Sequence, residues 1–241
     1  MGDVAVRGSA YCRLMPATRV IRLRREAWGF AIGSLCFLVG AIPWYAEAVG
    51  VAVTDLTFFV GALFFTAAAF IQLALSGRHR PARGTARPDV FDWWAAVVQL
   101  VGTLFFNIST TDALLTAVDS TTRVNSGWRP DAAGSVCFLV ASTLAVVATT
   151  ERDRLWDPNA RSWRCTWLNL LGSVFFGASA VGAYVLPSTA DLVSLFWANL
   201  GTFLGAVCFL VAALLSRPAP PRRAAPSAQD AGFPDGSRRP A

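Results

Sequence analysis

The chain has 241 residues, 54% of them hydrophobic and only 15% charged, with a mean hydropathy of +0.48. A soluble domain carries about 25% charged residues, so this composition speaks against an aqueous globule and for a chain embedded in lipid. The net charge of +6 rests on 21 basic residues, all arginine; they sit in short segments beside apolar runs, which argues against a nucleic-acid interface.

Residues 1–26 form a basic segment ending in Arg19, Arg22, Arg24 and Arg25. Six apolar runs follow, at 28–45, 56–75, 93–110, 132–148, 167–186 and 192–215. Each is about long enough for a spanning helix, which needs about 20 predominantly apolar residues. The expected fold is all-α, a polytopic membrane bundle of six transmembrane helices arranged as three hairpins. Hairpin 1 occupies 27–76, hairpin 2 92–150 and hairpin 3 164–216, with arginine-rich loops at 77–91 and 151–163. The tail, 217–241, is rich in Pro, Ala and Arg and reads as disordered. The first run also resembles a signal peptide, with Ala46-Glu47-Ala48 as a cleavage-like site. Retention is expected, because that run shares a repeat with the other five.

Orientation follows from arginine. The N-terminal segment, the 77–91 loop, the 151–166 segment and the tail hold 6, 4, 4 and 5, whereas the opposite loops hold only Arg123 and Arg129. The positive-inside rule places both termini in the cytoplasm. The absence of lysine is a coding-bias signature that points to a bacterium, hence to its plasma membrane. Expected partners are the lipid bilayer, anionic lipid headgroups at the arginine clusters, and a second copy or another membrane protein.

The repeat is the strongest signal after hydropathy. Each run contains Gly, a small residue, an aliphatic residue, Cys or Phe, and then Phe. The glycines are Gly33, Gly61, Gly102, Gly134, Gly172 and Gly205; the closing phenylalanines are Phe37, Phe65, Phe106, Phe138, Phe176 and Phe209. Three residues beyond each Phe stands another small residue: Gly40, Ala68, Ser109, Ala141, Ser179 or Ala212. On a helix these positions share a face with the Phe, giving a notch, a ring and a notch. Small residues let helix backbones approach in lipid, so these twelve residues are expected to pack helices together. The residue before the Phe pairs one Cys with one Phe in each hairpin: Cys36 with Phe64, Phe105 with Cys137, Phe175 with Cys208.

Hairpin 3 shows the pattern most fully, from Trp167-Leu168-Asn169 through Gly172 to Phe176, and from Asn199-Leu200-Gly201 through Gly205 to Phe209. Over 164–216 it resembles the two-helix YrhK-like membrane module of bacteria. The resemblance implies a fold unit and supplies no active residue.

The centres of the runs lack charge. Gln99, Asn107, Asn169 and Asn199 are the polar residues that could line a solute path, and interhelical hydrogen bonding is their other role. Gln72 is a further amide in the second run. The single histidine, His79, lies in an arginine-rich loop, and no catalytic set, phosphate-binding loop or metal-ligand spacing appears. The five cysteines, Cys12, Cys36, Cys137, Cys165 and Cys208, form no CxxC and are expected to make no disulfide. The sequence therefore reads as a non-catalytic membrane bundle, not an enzyme and without cofactor or metal, that scaffolds or assembles with a partner. The competing reading is a small-solute permease built from three hairpin repeats.

Overall fold

The structure, a computed structural model, describes residues 17–75, 78–119, 128–152, 161–186, 188–189 and 191–217. It is all-helical: α1 (Ala17–Gly40), α2 (Pro43–Val49), α3 (Val51–Phe70), α4 (Arg87–Asp119), α5 (Trp128–Arg152), α6 (Arg161–Gly182) and α7 (Leu195–Ser216). A π-helical turn, Ile71–Leu75, prolongs α3. Among the described residues, five helices are long and apolar enough to cross a membrane, or six if the bent pair α1–α2 counts as one span. This is the helix inventory of a multi-pass membrane protein.

Local chemistry sets the helix ends. Ile42 is extended (φ −84°, ψ 118°) because the ring of Pro43 disfavours helical geometry in the residue before it. The chain bends by 80° there. Gly50, at φ +83°, supplies the left-handed step from α2 into α3. Ser194 caps α7, its hydroxyl accepting from the Trp197 N–H at 3.3 Å.

The helices outrun the apolar runs at two places. α1 begins at Ala17, so Arg19, Arg22, Arg24 and Arg25 are helical and continuous with the first apolar run. α4 has 33 residues; at 1.5 Å per residue it is roughly 50 Å long against a hydrocarbon core of about 30 Å. Asp112, beyond the apolar run that ends at residue 110, is therefore on α4, and Asp131 is in the first turn of α5.

α1 packs on α3, α4 on α5 and α6 on α7, while α3–α4, α5–α6 and α7–α1 contacts close these pairs into a ring of six. Contacts at the helix ends fix their alternating direction. At one end Arg22 Nη1 donates to the Leu75 carbonyl (3.2 Å), Arg152 pairs with Asp89, and the Arg217 guanidinium lies over the Trp28 ring. At the other, Tyr45 bonds Thr57 (2.9 Å) and Trp128 Nε1 donates to the Ala180 carbonyl (2.7 Å).

Burial follows the repeat residue by residue. Every motif glycine is buried, and so is the small residue after it: Ser34, Ala62, Thr103, Ser135, Ser173 and Ala206. The aliphatic residue next in line faces outward; Leu35, Leu63, Leu104, Val136 and Val174 are all about half exposed or more. A water-soluble protein does not present such a continuous apolar coat. In a bilayer it is the face toward lipid.

Candidate functional site

The closing phenylalanines meet at the centre of the ring. Phe37, Phe106 and Phe176, from α1, α4 and α6, form one triangle with centroid separations of 5.8–6.2 Å. Phe65, Phe138 and Phe209, from α3, α5 and α7, form a second with separations of 5.8–6.3 Å. The triangles are stacked, joined by the pairs Phe37–Phe65 (5.4 Å), Phe106–Phe138 (5.0 Å) and Phe176–Phe209 (5.5 Å). All six are buried. Most pairs are edge-on or tilted, the geometry that ring quadrupoles favour, at about 0.5–1.5 kcal/mol per pair beyond burial.

The glycines make this convergence possible. A Cβ on Gly61 would lie 2.8 Å from the Phe37 ring and 2.9 Å from Cys36 Cβ; on Gly102, 2.7 Å from Phe138 and 2.9 Å from Cys137 Cβ. At Gly172 it would meet Cys208 Cβ and the Gly205 carbonyl, each at 3.1 Å, and at Gly205 it would collide with Phe176. Each glycine thus receives the phenylalanine of its partner helix. The alternation of Cys with Phe acquires a reason here: Cys36, Cys137 and Cys208 sit where their Cβ atoms approach a facing glycine. Phe64, on the opposite helix of the first pair, points partly outward at 37% exposure.

A cavity of about 80 Å³ lies on the arginine-rich side of the second triangle. Phe65, Phe138 and Phe209 line it at the bundle centre, and Phe30, Gln99 and Asn169, each three residues before a motif glycine, line its walls. Glu26, Gln72, Cys165, Ala212, Ala213 and the exposed Ser216 complete the lining. Glu26 stands seven residues before Gly33, as Cys165 stands seven before Gly172. Extending the repeat by two more turns toward the N-terminus of α1 would have singled out Glu26 from the sequence alone. Reading residues 1–26 as a basic segment outside the first helix hid it.

The two other amides lie elsewhere. Asn107 Nδ2 donates to Thr66 Oγ1 (2.7 Å), tying α4 to α3, and its Oδ1 is buried without a hydrogen-bond partner among the described residues. Asn199 lies in an outward apolar groove with Ile42, Trp44, Phe196 and Phe203. Gln99 and Asn169 are thus brought together, and Asn107 and Asn199 are not.

Next to the central cavity a second one, of about 500 Å³, is lined by Arg19, Arg78, His79, Arg80, Asp89, Asp92 and Arg152. Arg78 pairs with Asp92 (3.1 Å) and donates to the Gln72 carbonyl (3.2 Å), while Arg152 reaches both Asp89 and Asp92. Among the described residues no three His, Cys, Asp or Glu side chains are grouped to hold a metal. Cys36, Cys137, Cys165 and Cys208 are thiols, and Cys12 lies outside the described residues.

Comparison with protein-family models, with curated proteins and with solved structures gives no match. The resemblance over 164–216 therefore stands on its sequence motif alone.

Proposed function

We propose that the protein is a non-catalytic, multi-pass bundle of a bacterial plasma membrane that acts through packing, as a scaffold or as a partner-assembly unit. The observation that carries this reading is the double triangle of phenylalanines. A solute path along the bundle axis would have to pass between six rings in mutual contact. The close pairs α1–α3, α4–α5 and α6–α7 support a description as three hairpin repeats related by a pseudo-threefold axis, with YrhK-like character in the third. Both termini then face the cytoplasm with the arginine-rich end, where the 500 Å³ basic cavity is suited to anionic lipid headgroups. The half-exposed aliphatic coat is suited to lipid, a second copy or another membrane protein.

One observation favours the permease reading: Gln99 and Asn169 line a shared axial cavity. Flux separates the two. Proteoliposomes carrying the full chain should pass urea and glycerol no faster than protein-free vesicles. Saturable uptake of either, abolished by Asn169→Leu, would replace the scaffold with a carrier.

A further inference from the structure

We propose that the axial cavity binds a small, hydrogen-bond-donating cation of the ammonium or methylammonium class, with the Glu26 carboxylate as its counter-ion. The first ground is an unmatched carboxylate. Glu26 accepts a hydrogen bond from the Gln72 amide, but its Oε2 is buried with no hydrogen-bond partner among the described residues. Burying an acceptor in this way is costly, and more so when the group is charged.

The nearby guanidinium does not resolve this. Arg78 commits Nε and Nη2 to Asp92 and Nη1 to the Gln72 carbonyl. Its charge acts on Glu26 and favours the ionised carboxylate, but among the described residues it makes no direct ion pair with it. The acid therefore faces the cavity with a bonding position to spare.

The second ground is the lining. Gln99 and Asn169, whose side-chain amides carry acceptor oxygens, occupy two of the three equivalent wall positions, and Phe30 occupies the third. The Phe65, Phe138 and Phe209 rings close the cavity toward the bundle centre. Aromatic rings attract cations through their quadrupoles, and alkylammonium groups are a recurrent ligand of such surfaces. A single carboxylate with neutral oxygens suits a monovalent ion. About 80 Å³ admits a molecule of a few heavy atoms and excludes a bulky quaternary amine. Exposed Ser216 gives the cavity an edge at the protein surface. The inner end is closed by phenylalanine, so the site is a blind vestibule and the inference is independent of the scaffold reading.

The test is thermal stabilisation of the detergent-solubilised full chain, titrated with methylammonium chloride at constant ionic strength. Potassium chloride and choline chloride are the comparison salts. The wild type should show a saturable rise in Tm with methylammonium and none with choline. Glu26→Gln keeps the shape and the amide donors; it should weaken the apparent affinity roughly tenfold or more, the scale expected for a lost charge-assisted hydrogen bond. Asn169→Leu should weaken it by a smaller factor, and it keeps the question decidable if Glu26→Gln does not fold. No saturable response in the wild type would overturn the proposal. So would equal responses to methylammonium, potassium and choline, or a response that Glu26→Gln and Asn169→Leu both leave intact.

Discussion

The motif glycines are not interchangeable with Gly177. A side chain at Gly205 would enter the space of the Phe176 ring, whereas a Cβ on Gly177, one residue beyond that phenylalanine, has no heavy atom within 4 Å. Gly205→Leu should therefore destabilise the bundle by about 1–3 kcal/mol through overpacking, read as a lowered Tm in detergent. Gly177→Ala should leave stability unchanged or raise it by up to about 1 kcal/mol, because alanine is the better helix former. Equal losses at the two sites would mean that glycine serves backbone flexibility here rather than ring packing. At the bundle axis, Phe138→Ala removes a ring in contact with Phe65, Phe106 and Phe209. A cost of about 3–5 kcal/mol is expected for a buried phenylalanine truncated in this way, again read in Tm.

Between elements, hydroxyls do what the hydrophobic effect cannot do in lipid. The contact of α5 with α6 carries Ser142 Oγ against Ser173 Oγ at 2.8 Å, and Ser173 Oγ also lies 3.2 Å from the Phe138 carbonyl. Ser135 adds a longer bond to the Phe176 carbonyl. A double-mutant cycle of Ser142→Ala and Ser173→Ala should return a coupling of about 0.6 kcal/mol, with about 1.7 as the upper end for such pairs. Zero coupling would show that the two serines matter only as small residues. The bend between α1 and α2 shows a second kind of element-level control. Hydropathy runs on unbroken from 28 to 45, yet Pro43 sets the following turn of chain at 80° to α1.

For the whole molecule, alternating helix direction gathers most of the described arginines at one end of the bundle, where Arg22, Arg78, Arg152 and Arg217 engage neighbouring elements. A reporter active only in the cytoplasm, fused after residue 241, should be active; the same reporter inserted between α4 and α5 should be silent. The reverse pattern would invert the orientation inferred from the arginine count, and activity at both positions would change the number of spans.

Much of this was legible before any coordinates. Hydropathy fixes how many segments prefer lipid, and the Gly-small-aliphatic-(Cys/Phe)-Phe repeat fixes which face of each helix turns inward, because a period of 3.6 residues converts spacing into direction. Buried Ser34, Thr103 and Ser173 and outward Leu35, Leu104 and Val174 follow from that alone. Periodicity assigns a face to each helix but is silent on which helices share a neighbour. That Phe37 meets Phe106 and Phe176 in one triangle, while Phe65 meets Phe138 and Phe209 in another, depends on six helices closing into a ring. The same closure divides the polar residues. Gln99 and Asn169 reach one cavity because they occupy equivalent turns on α4 and α6; Asn107 is taken up by Thr66, and Asn199 turns outward. Glu26 belongs to that cavity only because α1 starts ahead of its apolar run, an extension that hydropathy, which registers where lipid is preferred and not where a helix ends, has no means of detecting.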